Sequence, residues 1–248
     1  MPTDIRYLDR TLSTPARNLA CDEALLNERE ANGGAGVLRF WESSIFFIVI
    51  GYANKVAEET NLDACQQGAV PILRRCSGGG SVVQGPGCLN YSLILPVDAA
   101  TGEAGTITGT NRFVMERNRA ACEALVGKPV AVDGHTDLTL AGRKFSGNSQ
   151  RRRRDWFLFH GTFLYNFDLP LLGRWLRPPP RQPEYRRERS HADFVTQLPV
   201  GADEIKRAMR KVWQAEAAFD GAPIPRVEAE IDRLTRERYE RDEWNHRW

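Results

Sequence analysis

Residues 74–95 form the stretch that most constrains what this chain can fold into. They read RRCSGGGSVVQGPGCLNYSLIL, with an apolar strand-like pair before the glycines and the apolar run 89–95 after them. Glycine adopts positive φ without steric cost and lets backbone N–H groups approach an anion closely. Both an anion cradle and a flexible hairpin fit this pattern. The stretch is not a Walker loop, because the Gly-Lys-Ser/Thr ending is missing. It is not a dinucleotide fingerprint, because no helix follows the glycines.

Composition favours one folded domain that spans residues 1–248. The chain is 42% hydrophobic and 27% charged, which suffices for a large buried core. A net charge of +2 does not by itself indicate a nucleic-acid or membrane surface. Four consecutive arginines, 151–154, are most simply a solvated loop. No nucleic-acid partner is therefore expected.

The cysteine pattern predicts free thiols. The five cysteines, at 21, 65, 76, 88 and 122, include no Cys-x-x-Cys pair, and no histidine stands at metal-ligand spacing. Reduced cysteines are typical of the cytosol. The chain begins with polar residues and has no apolar run near the roughly 18 residues of a spanning helix. A cytoplasmic protein without a membrane partner is expected.

Several helices are predicted from capping residues and apolar spacing. Thr14 and Pro15 are typical of a helix start, here for residues 16–28. The predicted helices are 16–28, a short one from Asn61 to about 68, 110–126, a short one at 169–176, 202–219 and a last one around 231–239.

The apolar run 45–50 predicts a strand that is covered on both faces, and the run 89–95 predicts a second apolar strand, whereas alternation over 37–41 predicts a half-buried strand. Residues 138–144 predict a hairpin in which Gly142 forms the turn and Lys144 begins the returning strand. Residues 151–155 should then be a polar connection before strands at 156–166. Strands interleaved with helices indicate a mixed α/β sandwich.

Two blocks of sequence resemble the lipoate-protein ligase branch of the biotin/lipoate ligase family. The first is RRCSGGGSV with GCLNYS, and the second is DLTLAGRKFSGNSQ at 137–150 with HGTFLYNFDL at 160–169. Shorter matches lie at 18–25, 192–195 and 239–245. The resemblance implies an α+β fold, a largely antiparallel sheet flanked by helices, similar to class II aminoacyl-tRNA synthetases.

The resemblance also implies a reaction. Lipoate or octanoate is activated by ATP as an acyl-AMP, with Mg²⁺, and is then transferred to a lysine of a lipoyl carrier domain. Lys144 matches the catalytic lysine, which would stabilise charge between the acyl carbonyl and the phosphate. The adenylate and lipoate positions implied are Arg75, Ser77, Gly78, Gly79, Gly80, Ser81, Val82, Val83, Asn90, Asp137 and His160.

Three of these residues keep alternative interpretations. Asp137 can hold Mg²⁺, orient a ribose hydroxyl, or be a solvated turn carboxylate. Asn90 can bond the nucleotide or satisfy the loop backbone, and His160 can serve only to fix its strand.

Departures from the family pattern separate the possible activities. Gln84 stands where many relatives carry histidine, so a titrating imidazole is lost there. No cysteine lies in 129–136 or after Cys122, where octanoyltransferases of the superfamily carry their thioester nucleophile. The chain also ends where two-domain ligases continue into an accessory domain. A small, separately encoded accessory protein is therefore expected, unless loops 151–155 or 178–189 close over the site.

Three functions remain in view. A lipoate-protein ligase best fits the intact glycine loop and Lys144. An octanoyl or lipoyl transferase that uses a carrier donor without ATP lacks its cysteine. A non-catalytic acyl-nucleotide binder on the same fold would not need Lys144.

Overall fold

The strand β6 (Cys88–Pro96), buried from Cys88 to Leu95, lies near the centre of a seven-stranded sheet. The computed structural model describes residues 4–100, 106–220 and 223–247. In these ranges the large sheet has the order β1-β2-β6-β10-β9-β8-β7, and a small sheet has the order β4-β3-β5. The strands are β1 (Ile5–Asp9), β2 (Gly36–Trp41), β3 (Phe47–Ile50), β4 (Ile72–Arg74), β5 (Val82–Gln84), β6 (Cys88–Pro96), β7 (Val130–Asp133), β8 (Asp137–Leu140), β9 (Arg143–Arg152) and β10 (Trp156–Leu164).

The large sheet is antiparallel except for β1 and β2, and the small sheet contains one parallel pair, β3 and β4. Helices pack around both sheets, so the predicted α+β class and largely antiparallel sheet are confirmed. The helices are α1 (Pro15–Asn32), α2 (Val56–Glu59), α3 (Leu62–Gln67), α4 (Ile107–Val126), α5 (Pro170–Trp175), α6 (His191–Phe194), α7 (Ala202–Trp213), α8 (Pro223–Leu234) and α9 (Asp242–Asn245), with a π-helical turn at Thr235–Tyr239.

Local sequence signals explain the main helix ends. Thr14 Oγ1 accepts a hydrogen bond from the N–H of Arg17 at 3.2 Å, as an N-cap should. α1 ends at Gly33, whose φ is +66°, and α4 ends at Gly127, which has a left-handed conformation. The predicted starts and stops of these two helices are therefore confirmed within a few residues.

Three predictions were wrong: the burial of β2, the extent of the connection before β10 and the end of α7. β2 is buried on both faces rather than half-buried, because α1 covers one face and α7 packs on the other side. Residues 151 and 152 continue β9, so only 153–155 form the connection to β10. α7 ends at Trp213 rather than at Phe219. Beyond it the chain runs beside β1, where the N–H of Phe219 donates to the carbonyl of Tyr7 at 2.8 Å.

A fully buried guanidinium joins α1 to the large sheet. Arg39, on β2, donates to Asp22 Oδ1 at 2.6 Å and to Asn18 Oδ1 at 2.7 Å. It also donates to the backbone carbonyl of Arg10 at 3.2 Å. Although burial opposes ionisation of Asp22, the Arg39 charge and a hydrogen bond from His160 hold the pKa of Asp22 below its ordinary value. The pair is therefore charged and mutually dependent.

None of the helices in the described ranges has the length and apolar character needed to cross a membrane.

Replacing Arg39 with methionine should lower the free energy of unfolding by about 3–5 kcal/mol, because it leaves the Asp22 carboxylate buried without its cation. Urea denaturation of the purified chain near neutral pH measures this. The double variant Arg39→Met/Asp22→Asn is the matched control and should recover part of the loss. A single variant as stable as the wild-type chain would show that the pair contributes nothing.

Candidate active site

A cavity of about 800 Å³ lies between the two sheets. Its apolar walls come from Leu19, Trp41 and Val49. The glycine loop (residues 77–81) and the hairpin of β8 and β9, which carries Lys144, border it. We call residues 177–191 the strap, since eight of its members, from Arg177 to Arg186, together with His191, line the same cavity. The cavity therefore combines an apolar interior with cationic groups.

The glycine loop, residues 77–81, is shaped by the buried guanidinium of Arg75. Arg75 Nε donates to Ser77 Oγ at 3.1 Å and to the Gly78 carbonyl at 3.2 Å, and Nη2 donates to the Gly80 carbonyl at 2.8 Å. Gly79 has a φ of +85°, a conformation that favours glycine. Burial lowers the pKa of Arg75 to about 10, so the group stays charged near neutral pH.

A second segment, residues 51–59, contacts the glycine loop. A Cβ on Gly51 would lie 1.9 Å from the carbonyl oxygen of Gly79, so only glycine permits this close approach. Glu59 Oε2 accepts the N–H of Ser81 at 3.0 Å, and Asn54 donates both to Glu59 at 2.7 Å and to the Gly79 carbonyl at 3.1 Å. One of the backbone donors of the loop is therefore already occupied by a carboxylate.

The predicted hairpin places Lys144 beside the cavity. Ala141 and Gly142 both have positive φ, +50° and +70°, which matches a tight two-residue turn between β8 and β9. Lys144 Nζ lies 2.8 Å from Asp137 Oδ1, and its side chain is 28% exposed. Tyr185 donates its hydroxyl to Asp137 Oδ2 at 2.6 Å. Burial and the Asp137 carboxylate raise the pKa of Tyr185 far above its ordinary value, which keeps this hydroxyl protonated.

A hydrogen-bonded chain connects α1 to the glycine loop across the cavity wall. His160 Nε2 lies 2.6 Å from Ser77 Oγ, and its Nδ1 lies 3.5 Å from Asp22 Oδ2. Asp22 is in turn bonded to Arg39, and Ser77 to Arg75. His160 therefore does more than fix its strand, since it joins β10 of the large sheet to the loop that leads into β5 of the small sheet.

Most of the predicted site residues meet at this cavity. Those that line it are Arg75, Gly79, Gly80, Ser81, Val82, Asn90, Asp137, Lys144 and His160. Ser77 and Gly78 do not line the cavity, but both accept hydrogen bonds from Arg75. Val83 packs its side chain among Ile48 and Ile50 on the other face of the small sheet. The chemical roles of these residues stay predictions.

Asn90 and Gln84 face the cavity from the two sheets. Asn90 is buried, and its Nδ2 lies 3.4 Å from the Cys88 carbonyl. Gln84 is 6% exposed, and its Oε1 has no hydrogen-bond partner among the described residues. Trp41 Nε1 is equally buried and without a partner.

Sequence reasoning missed the partners that act from far along the chain. Glu59, Asp22 and Tyr185 each contact a predicted residue that is between about 20 and 140 positions away. Asp22 lies within the short match at 18–25, but no motif marks Glu59 or Tyr185. The predicted alternative that loop 178–189 closes over the site agrees with the position of the strap, whereas 151–155 does not line the cavity.

A thiol nucleophile is not present at the cavity. All five cysteines are buried, and none lines it. Burial raises the pKa of Cys21 to about 11 and the pKa of Cys76, Cys88 and Cys122 to about 12. Burial also raises the pKa of Cys65. These thiols stay protonated near neutral pH.

The fit of a magnesium ion was tested on Asp137. Its two carboxylate oxygens already accept from Lys144 and Tyr185. Across 4–100, 106–220 and 223–247, no three His, Cys, Asp or Glu side chains are placed to hold a metal ion. The residues present do not fit a protein-bound magnesium site. Asp137 as a metal ligand stays a prediction.

Known proteins resemble this chain over its whole length. An octanoyltransferase LipM from Halalkalibacterium halodurans is 26% identical over an alignment of 272 positions, which covers 98% of each chain. The bipartite lipoate protein ligase of Thermoplasma acidophilum, solved in a study of that ligase and its E2 lipoyl domain, has a TM-score of 0.80 at 23% identity and covers 99% of this chain and 96% of its own.

A lipoate-protein ligase A solved with bound ATP has a TM-score of 0.77 at 24% identity, with 99% of both chains covered. These structural likenesses establish the fold. Residues 14–213 match the family model described as the lipoyl protein ligase A/B catalytic domain, and they include the glycine loop, Lys144 and His160. The chain belongs to the lipoyl protein ligase A/B catalytic domain family.

Proposed function

We propose that this chain is a lipoate-protein ligase, which activates lipoate as lipoyl-AMP and transfers the lipoyl group to a lysine of a lipoyl carrier domain. One observation carries the proposal: the cavity holds Arg75, Lys144 and the glycine loop but no thiol. Cations and backbone donors suit a phosphate-linked acyl group. A thioester route needs a nucleophilic thiolate, and the five buried thiols are protonated.

The apolar part of the cavity suits the acyl chain. Leu19, Trp41 and Val49 give contact surface, and a cavity of about 800 Å³ lies within the usual range for small-molecule sites. The carboxyl end would point toward the cations, because Lys144 and the glycine loop border the same space.

The two half-reactions place different demands on these groups. In activation, a carboxylate oxygen of lipoate bonds to the α-phosphorus of ATP, the bond between this phosphorus and the bridging oxygen to the β-phosphate breaks, and pyrophosphate leaves. Arg75 and Lys144 reduce the repulsion between the two anions. In transfer, an amine attacks the carbonyl carbon of lipoyl-AMP and AMP leaves. Lys144 stabilises the negative charge that shifts from the carbonyl oxygen to the leaving phosphate. The strap excludes water from the mixed anhydride.

The acceptor and a second subunit enter the proposal by analogy. The T. acidophilum ligase is described as bipartite and was solved in a study that includes its E2 lipoyl domain. We extend both features to this chain: a lipoyl domain as acceptor and a small accessory protein for activation. In the absence of that protein, transfer from preformed lipoyl-AMP should be faster than formation of lipoyl-AMP.

The test is mass spectrometry of a lipoyl carrier domain after incubation with the purified chain. We expect a lipoyl adduct with preformed lipoyl-AMP, and a smaller yield with lipoate and ATP. Lys144→Ala should reduce transfer by about 10² to 10³-fold, since one charge stabiliser is lost. Octanoyl-loaded acyl carrier protein without ATP is the competing donor. Adduct formation from that donor alone would contradict the ligase and favour the octanoyltransferase that the LipM relatives suggest.

Gly147 should be required for the position of Lys144. A Cβ at residue 147 would lie 2.8 Å from Lys144 Nζ and 2.8 Å from its Cε, so Gly147→Ala must displace the ammonium. We expect transfer to fall by up to about 10²-fold with little change in stability, because the displaced group is the end of a flexible side chain. The control is Gly173→Ala, in which a Cβ meets nothing within 4 Å. Single-turnover rates equal to wild type in Gly147→Ala would refute the requirement.

Transfer should survive the loss of every thiol. A chain in which all five cysteines are replaced by alanine or serine should be less stable, since buried groups are lost, but should still transfer lipoyl from lipoyl-AMP. Intact-mass analysis of the wild-type chain after reaction with each acyl donor should show no acyl-cysteine. Detection of such an adduct would overturn the adenylate route.

A further inference from the structure

We propose that His191 accepts the proton that the attacking lysine amine must lose in the transfer step. The proposal rests on the proposed function and assigns it a second catalytic residue. Amide formation requires that the amine nitrogen bonds to the carbonyl carbon and then gives up a proton. Lys144 Nζ is paired with Asp137 Oδ1 at 2.8 Å and acts as the charge stabiliser of this step, so a separate group must take the proton.

His191 is held firmly beside Lys144. α6 begins at His191 and is followed by Val195, which forms a parallel bridge with Lys144. The N–H of Thr196 donates to the Lys144 carbonyl at 2.8 Å, and Arg143 Nη2 donates to the Val195 carbonyl at 2.7 Å. Arg143 Nη2 also donates to the Ala192 carbonyl at 2.9 Å, so the hairpin that carries Lys144 contacts both ends of α6. His191 lines the cavity.

Most other bases in the cavity wall are already engaged. Within the described part of the chain, four titratable groups there have hydrogen-bond or ionic partners that use their basic atoms. They are Asp22 with Arg39, Glu59 with the N–H of Ser81 and with Asn54, Asp137 with Lys144 and Tyr185, and His160 with Ser77 and Asp22.

Three bases in the lining have no such partner: His135, Glu184 and His191. His135 and Glu184 are exposed to solvent, whereas His191 is partly buried. The imidazole of His191 makes no hydrogen bond to another described group. Its charged neighbours are Arg186 on the strap and Lys144 on β9. Burial and these two cations lower the pKa of His191 to about 4, so the ring is neutral and can accept a proton.

In the transfer step one bond forms, one bond breaks and one proton moves. The neutral amine of the acceptor lysine forms a bond to the carbonyl carbon, which makes its N–H more acidic. The bond between this carbon and the phosphate oxygen breaks, and its electron pair leaves with AMP. The proton passes from nitrogen to the imidazole of His191 and then to water. The bound adenylate adds negative charge beside Lys144, which favours the protonated imidazole during the step.

The experiment compares His191→Ala with the wild-type chain in single-turnover transfer from preformed lipoyl-AMP to a lipoyl domain. Loss of a general base should slow transfer by about 10²-fold, while the affinity for lipoyl-AMP changes less than about threefold. Added imidazole should restore much of the rate in His191→Ala and none in Lys144→Ala. His135→Ala is the matched comparison, since it removes an exposed imidazole from the same cavity.

Each other result counts against the proposal. Wild-type transfer by His191→Ala would remove His191 from the mechanism, and so would a loss that imidazole does not restore and that parallels weaker lipoyl-AMP binding. An imidazole-restored loss in His135→Ala alone would move the role to His135. If the wild-type chain transfers no lipoyl group from lipoyl-AMP, the proposed function fails, and the role of His191 fails with it.

Discussion

The glycine loop depends on the buried guanidinium of Arg75. Three consecutive glycines have no side chains with which to hold a shape, and such segments lose much conformational entropy on folding. Arg75 offsets this loss by donating to the carbonyls of Gly78 and Gly80, which orders both ends of the glycine run. The same guanidinium lines the cavity, so one side chain both orders the loop and supplies positive charge to it.

The site forms because two sheets with different tasks are held at a fixed separation. The small sheet carries the glycine loop, and the large sheet carries Lys144. The hydrogen bond between Ser77 and His160 at 2.6 Å crosses from one to the other, and Arg39 anchors the far end of that chain through Asp22. Stability and site geometry are therefore linked, since loss of a core ion pair on α1 would also loosen the wall of the cavity.

The parts of the fold that could be predicted are those set by local chemistry. The hairpin of Lys144 follows from residues that accept positive φ at its turn, and α1 follows from Thr14 and Pro15. The end of α7 could not be predicted, because residues 214–219 have good helix propensity and the pairing of Phe219 with β1 outweighs it.

The residues of the site, like the elements of the fold, were predictable where a local motif marks them. Motif matches identified Arg75 and Lys144, which line one cavity, but several groups that contact other predicted site residues are distant in sequence. The contact between Tyr185 and Asp137 spans 48 positions, for example. The carboxylate of Glu59 at the loop has a further consequence for selectivity among anions. Inorganic phosphate would meet this negative charge and gain nothing from the apolar walls, whereas a phosphate joined to an acyl chain offsets the same repulsion by burying that chain. On the proposed function, free phosphate would therefore compete weakly with an acyl-phosphate at this loop.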